Sequence, residues 1–87
     1  MTRPKKKKLK IVVNEVKLGR QKLWGQTNCT DGVVDIDPRM KSKKYMRILL
    51  HESLHVCFPE MKEMAVRRAS RLMRDVLWKQ GYRRIKF

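Results

Sequence analysis

Acidic side chains are scarce in this sequence. Its 87 residues include eight Asp and Glu against 23 Lys and Arg, which gives a formal net charge of +15. Such a surface attracts polyanions, and nucleic acid is the first partner of that kind to consider. The apolar share of 41% is ordinary for a globular protein and argues against a wholly disordered chain. We therefore expect a folded, strongly basic protein.

Cysteines and long apolar runs are also few. Only Cys29 and Cys57 are present, with no C-x-x-C pair. We expect both thiols to be reduced, with a Cys29–Cys57 disulfide as the alternative. No stretch approaches the roughly 20 apolar residues that span a membrane, and no apolar core follows the basic start as it would in a secretory signal. These absences predict a cytoplasmic protein without a membrane partner.

The length leaves room for one domain. Residues 1–8 form a basic arm with a run of lysines at 5–8. Like charges at this density repel one another, so we expect the arm to be mobile unless it meets an anion, and a solubilising tail is an equal interpretation. Residues 9–87 form the single folded domain. Nothing in the sequence fixes the oligomeric state.

Three short segments have the composition of β-strands. Residues 9–16 are rich in β-branched side chains, and residues 22–26 carry Leu23 and Trp24. Residues 33–37 alternate apolar and acidic side chains, the pattern of a half-buried strand. The Asp31-Gly32 turn predicts a hairpin between the second and third segments. The predicted class is α+β: a short antiparallel sheet of two or three strands packed on two main helices.

The pattern changes to a helical one after residue 41. Ser42 is a candidate N-cap for a first helix that ends near Val56, and Pro59 suits the first turn of a second helix that Gly81 ends. An apolar stripe on the first helix comprises Met46, Leu50, Leu54 and Cys57. The predicted buried face of the second helix comprises Ala65, Ala69, Leu72, Met73, Val76 and Leu77, with Arg67, Arg68, Arg71 and Arg74 on the other side.

The segment His51-Glu-Ser-Leu-His55 matches the pattern H-E-x-x-H and contains both histidines of the chain. Two histidines at i and i+4 lie on one helix face, so both imidazoles can reach one metal ion. Glu52 lies beside that face, where it can hold a metal-bound water and take its proton. Neutral imidazoles and the absence of redox chemistry favour Zn²⁺. The alternative is a pair of surface histidines, which the flanking leucines argue against.

A catalytic zinc site needs a third protein ligand and an open position for water. The absence of a third histidine excludes the metzincin type. The candidates for the third ligand are Glu60, Glu63, Asp35, Asp37 and Cys57. Glu63 borders the predicted apolar face of the second helix and can point toward the first helix, whereas Glu60 points nearly the opposite way. We expect Cys57 to be a small core residue.

An H-E-x-x-H helix followed by a helical glutamate resembles the gluzincin pattern. The small size resembles the minigluzincins, and the general layout is similar to the ImmA/IrrE and SprT-like groups. Residues 24–84 resemble small phage-encoded metallopeptidases through Trp24-Gly25, residues 35–39, the H-E-x-x-H segment, residues 58–60, residues 63–66 and residues 77–83. The resemblance implies zinc ligands His51, His55 and Glu63, with Glu52 as general base. It also implies a bacterial host cytoplasm. Only seven residues separate His55 from Glu63, fewer than in most gluzincins.

A peptidase also needs a strand for its substrate and a donor for the oxyanion. We expect a peptide or protein substrate to pair with residues 32–37 by β-augmentation. Tyr82 is the preferred oxyanion donor and is counted among the catalytic residues, ahead of Arg83 and Tyr45. The predicted function is a zinc metallopeptidase. The alternatives are a basic nucleic-acid-binding protein with structural or absent zinc, and an inactive peptidase-like adaptor.

Overall fold

The computed structural model describes residues 10–19, 23–28 and 30–85, so the predicted arm at 1–8 lies outside the described residues. The elements are strands β1 (Val12–Glu15), β2 (Gly25–Asn28) and β3 (Val33–Ile36), followed by helices α1 (Ser42–Cys57) and α2 (Glu63–Lys79). The sheet packs on the helices, and this arrangement confirms the predicted α+β class. No helix within the described ranges is long and apolar enough to cross a membrane.

The sheet is mixed rather than wholly antiparallel as predicted. Its strand order is β1-β3-β2. The predicted hairpin is confirmed, since β2 pairs antiparallel with β3, and Gly32 adopts the positive φ of 68° that its turn requires. Strand β1 pairs with the edge of β3 that faces away from β2, and it runs parallel to β3. This choice leaves the outer edge of β2 without a strand partner among the described residues.

The core lies between β3 and α1. Val34 and Ile36 are fully buried, and they pack with Met40, Tyr45 and Val56. The predicted alternation of β3 is confirmed, because Asp35 between them faces outward and accepts a hydrogen bond from Gln26 Nε2. Strand β3 thus covers one side of this small apolar cluster, and helix α1 covers the other.

Helix α1 begins at Ser42, and Lys41 rather than Ser42 occupies the N-cap position. Ser42 Oγ instead accepts a hydrogen bond from the backbone N–H of Arg84, 42 residues later in the chain. The prediction that Cys57 is a core residue is wrong, since Cys57 is an exposed free thiol at the helix end. Cys29 lies outside the described residues.

Helix α2 begins at Glu63, four residues later than Pro59, and it packs on α1 without touching the described strands. Its predicted buried face is wrong for several residues. Val66 and Ser70 are fully buried, whereas Leu72 and Val76 are each 61% exposed. The contact with α1 is therefore centred near Val66 and Ser70. Because one neighbouring helix covers only a narrow strip, most of the apolar face of α2 remains in solvent.

Candidate metal centre

His51 and His55 lie one turn apart on α1 and direct their Nε2 atoms to the same point. The two Nε2 atoms are 3.2 Å apart, and the ring planes meet at 70°. Both side chains are partly buried, because the imidazoles lie where α1 faces the beginning of α2. The helical spacing therefore produces the convergence that the motif predicts.

Glu63 opens helix α2 and places its carboxylate against both imidazoles. Its Oε1 lies 3.0 Å from His51 Nε2, and its Oε2 lies 2.9 Å from His55 Nε2. The short connection after α1 turns the chain back, so the first residue of α2 faces the second half of α1. Glu63 precedes the buried Ser70 by two helical turns and thus shares the face that packs on α1.

The spacing of these atoms suits one zinc ion. Tetrahedral coordination with Zn–N bonds of about 2.05 Å separates two ligand nitrogens by about 3.3 Å. The two nitrogens are 3.2 Å apart here, and the carboxylate oxygens complete the triangle at 2.9 to 3.0 Å. Two imidazoles and a carboxylate are also the donor set of an open catalytic site. The residues present therefore fit a zinc ion that His51, His55 and Glu63 would hold.

Of the two ring nitrogens of His51, only Nε2 has a polar contact among the described residues. Its Nδ1 is buried and has no hydrogen-bond partner within residues 10–19, 23–28 and 30–85. Ligating histidines commonly donate a hydrogen bond from the nitrogen that does not bind the metal. In this site the polar interactions that orient the His51 ring are therefore those at Nε2, where the carboxylate of Glu63 lies.

Glu52 is held beside the histidines by a contact with strand β2. Its side chain is 8% exposed, and His51, Glu52 and His55 each offer a ligand atom within 4.8 Å of the others. The hydroxyl of Thr27 on β2 donates a hydrogen bond to Glu52 Oε2 at 2.8 Å and lies 3.1 Å from the Glu52 backbone oxygen. Sequence reasoning missed Thr27, because 25 residues separate it from Glu52.

Gly25 permits strand β2 to approach α1 at this point. A Cβ atom on Gly25 would lie 2.6 Å from Ile48 Cγ2 and 3.0 Å from Glu52 Cγ, both too close for ordinary contact. The glycine therefore serves the close packing of the strand on the helix that carries the motif. This closeness also sets Thr27, two residues later on the same face of β2, against Glu52.

The candidate centre opens into a cleft of about 370 Å³. One wall is the beginning of β2 with Trp24, which precedes the strand, and the other walls come from the two helices. Three arginines, Arg47, Arg67 and Arg71, line the cleft together with His51, Glu52 and Glu63. The prediction that Arg67 and Arg71 lie away from α1 is wrong, because the packed face of α2 is centred on Ser70.

The other candidate ligands lie elsewhere. Asp37 is fully buried and binds the guanidinium of Arg39, with 2.6 Å between Oδ2 and Nη2. That hydrogen bond holds the pKa of Asp37 well below its usual range, against the opposing effect of burial. Asp35 accepts a hydrogen bond from Gln26, Glu60 is exposed in the turn between the helices, and Cys57 is exposed.

None of the three candidate oxyanion donors, Tyr82, Tyr45 and Arg83, lines the cleft. Tyr82 is 61% exposed and lines a different cavity, formed by α1, Leu77 and the residues after α2. Tyr45 donates a hydrogen bond to Glu15 Oε1, and burial raises its pKa. Arg83 stacks on Trp78, with its guanidinium carbon 3.4 Å from the ring centroid. The arginines of the cleft are therefore the cationic donors nearest to the candidate centre.

The prediction that a peptide substrate pairs with residues 32–37 is wrong. Strand β3 is the central strand and is paired on both sides, so it has no free edge for a peptide. The outer edge of strand β2 has no strand partner among the described residues, and this strand begins at the wall of the cleft. The sequence spacing does indicate two of the cleft arginines. Arg47 precedes His51 by four residues and Arg67 follows Glu63 by four, so each lies one helical turn from a candidate ligand.

Protein-family models, curated proteins and solved structures were all compared with this chain, and none matches. The interpretation of the centre therefore rests on its own residues and distances.

Proposed function

We propose that this chain is a zinc-dependent peptidase of the gluzincin type. The observation that supports the proposal most directly is the convergence of His51 Nε2, His55 Nε2 and the Glu63 carboxylate within 3.2 Å of one another, with Glu52 beside them. A structural zinc site is usually closed by four protein ligands. Three candidate ligands, of which His51 and Glu63 line a cleft, together with the nearby acid Glu52, favour a catalytic site.

Each residue of the centre has a separate task in this proposal. His51, His55 and Glu63 hold the ion, and zinc when bound supplies the Lewis acidity that polarises a carbonyl and makes water a stronger acid. Glu52 accepts a proton from the attacking water and delivers it to the departing amine. Thr27 is a positioning residue, because its hydroxyl fixes one carboxylate oxygen of Glu52.

The peptide substrate would lie along β2. An extended peptide can pair with the outer edge of this strand, which no other described strand occupies, and Trp24 and Gly25 line the cleft where the strand begins. The backbone of the substrate would then pass Glu52 and the candidate ligands. The proposed location is the cytoplasm, which agrees with the free thiol of Cys57.

The first experiment tests the metal centre on the purified full-length chain. We expect one zinc per chain by elemental analysis, and a loss of affinity of at least about tenfold in His55→Ala and Glu63→Gln by competition with a chelating dye. Glu60→Gln is the matched control, since Glu60 is exposed in the turn before α2. Equal zinc affinity in Glu63→Gln and Glu60→Gln would exclude Glu63 as a ligand.

The second experiment separates a peptidase from an inactive adaptor. A pool of quenched fluorescent peptides is incubated with the zinc-loaded protein and with Glu52→Gln. We expect the variant to bind zinc normally and to lose at least about 100-fold in rate, because the general base is absent. Glu60→Gln should retain full activity. If no peptide is cleaved by the zinc-loaded wild type, or if Glu52→Gln cleaves as fast as wild type, the proposed function is wrong.

A further inference from the structure

Two arginines beside the candidate centre have no acidic partner. Arg47 lies one turn before His51 on α1, and Arg71 lies two turns after Glu63 on α2. Both line the cleft that contains His51, Glu52 and Glu63. Each arginine therefore lies within about two helical turns of a candidate ligand on its own helix.

No Asp or Glu side chain pairs with these guanidinium groups. All eight Asp and Glu residues fall within the described ranges, so each can be accounted for. Neither Arg47 nor Arg71 forms an ion pair with any of them, whereas Arg67 lies 3.5 Å from Glu63 and Arg74 lies 2.9 Å from Asp75. The cleft thus contains two unneutralised positive charges beside a carboxylate already engaged by two histidines.

The environment of Arg47 shows how strongly the positive charges are concentrated. Burial lowers the pKa of Arg47, and Arg71, Arg74 and Arg67 lower it further because they are like charges. A zinc ion at the adjacent centre would add to the positive potential. An anionic group in the cleft would relieve this repulsion and accept hydrogen bonds from two guanidinium groups.

We propose that Arg47 and Arg71 bind an acidic side chain of the peptide substrate close to its scissile bond. The inference rests on the proposed peptidase function and adds a substrate class to it. Arg47 lies one helical turn, about 5.4 Å along the axis, from His51, and an extended peptide advances about 3.4 Å per residue. The acidic residue is therefore expected within two positions of the bond that is cleaved.

A peptide carboxylate suits this cleft better than a nucleic-acid phosphate. The arginines share the cleft with the residues proposed to hydrolyse a peptide bond and with the start of the free-edged strand β2. A phosphate backbone would be bound as well by the other basic side chains of the chain, whereas a single carboxylate uses the two cleft arginines that have no Asp or Glu partner. Arg68 offers a matched comparison, because it lies on the same helix but does not line this cleft.

The test uses pairs of capped alanine-rich octapeptides that carry either Asp or Asn at one position, moved along the peptide. Rates are measured with zinc-loaded wild type, Arg47→Gln, Arg71→Gln and Arg68→Gln. We expect wild type to favour an Asp peptide about tenfold in kcat/KM, the size expected for one hydrogen bond between charged groups. Arg47→Gln and Arg71→Gln should lose this preference, and Arg68→Gln should keep it. The same rate for Asp and Asn peptides in wild type would overturn the inference while leaving the peptidase function intact.

The affinity of the same peptides for zinc-loaded Glu52→Gln, measured by calorimetry, keeps the inference testable even if hydrolysis fails. We expect tighter binding of an Asp peptide than of its Asn partner, and loss of that difference when Arg47→Gln is added. Equal binding of both peptides overturns the inference. It is also overturned if a single-stranded oligonucleotide loses affinity with Arg47→Gln but not with Arg68→Gln while the two peptides bind alike, since the cleft would then recognise phosphate.

Discussion

At the scale of single residues, the candidate centre depends on atoms that different parts of the chain contribute. His51 and His55 come from one helix, the carboxylate of Glu63 comes from the next, and the hydroxyl that fixes Glu52 comes from strand β2. Hydrogen bonds to a charged carboxylate are stronger than those between neutral groups. The hydroxyl of Thr27 therefore belongs to the arrangement as much as the motif residues do.

Removal of the Thr27 hydroxyl tests its positioning role. We expect Thr27→Val to lower kcat about tenfold, with little change in KM, because Glu52 loses the hydrogen bond that fixes its carboxylate. Zinc affinity should be unchanged, and Thr27→Ser should restore activity because it keeps the hydroxyl. Steady-state kinetics and zinc titration measure these quantities. Full activity in Thr27→Val would show that the hydroxyl has no positioning role, and a loss of activity in Thr27→Ser alone would show that the methyl packing matters instead.

Asp37 makes the stability of the fold dependent on pH. Its hydrogen bond to Arg39 holds the pKa of Asp37 below the ordinary value of about 3.9, so the folded protein favours the ionised carboxylate. This stabilisation is complete above that ordinary pKa and is lost as the pH falls toward the folded-state pKa. We expect the free energy of unfolding to fall below about pH 4.

Urea unfolding between pH 7 and pH 3 measures this dependence. Asp37→Asn should be less stable at neutral pH and should show a smaller loss of stability on acidification than wild type does. Asp31→Asn is the control, because Asp31 is exposed. If wild type and Asp37→Asn lose the same stability between pH 5 and pH 3, the pKa of Asp37 is not the cause.

At the scale of elements, the helical hairpin of α1 and α2 and the close approach of β2 create the site. The hairpin brings the first residue of α2 back to the second half of α1. Strand β2 then reaches α1 from the sheet side, and this contact depends on the absence of a side chain at Gly25. The cleft is the space that these three elements leave between them.

A side chain at Gly25 should damage both stability and activity. We expect Gly25→Ala to cost about 1–3 kcal/mol of unfolding free energy, because the added methyl group overpacks the contact with Ile48. Activity should fall by more than stability alone explains, since Glu52 is the next nearest neighbour. Chemical denaturation and kinetics measure both effects. Gln26→Ala, at an exposed position of the same strand, should change stability by less than about 0.5 kcal/mol.

The sequence predicted the elements themselves better than their packing. The hairpin and the alternation of β3 follow from local turn and strand patterns, and both are confirmed. The side of the hairpin that β1 joins and the strip of α2 that packs on α1 are not local properties. Leu72 and Val76 show the consequence, because their helical spacing predicts burial although no described element covers them.

At the scale of the whole molecule, the protein has a small core and a large positive charge. Seven apolar residues are buried in the part of the chain that the structure describes: Leu18, Val34, Ile36, Met40, Tyr45, Val56 and Val66. A net charge of +15 adds self-repulsion in the compact state. Domains of this size commonly gain stability from a bound metal. The proposed zinc ion would link α1 to α2 and so support the fold as well as the chemistry.

Removal of zinc should therefore destabilise the whole domain. Free zinc at 100 times its dissociation constant stabilises a protein that binds it only when folded by about 2.7 kcal/mol. For a domain of this length we expect chelation to lower the midpoint of thermal unfolding by roughly 10–20 °C. His55→Ala should unfold at the same temperature with and without chelator. A midpoint that zinc does not change in wild type would contradict the linkage between metal binding and folding.

The sequence by itself determined the convergence of the two histidines, because a spacing of four residues on a helix brings two side chains together whatever surrounds them. It also determined the α+β class and the excess of positive charge. Only the tertiary structure decided which acid meets the histidines at 2.9 to 3.0 Å, which hydroxyl fixes Glu52 and which arginines share the cleft. These relations join residues on separate elements, and the packing of those elements depends on the whole apolar surface rather than on any local pattern.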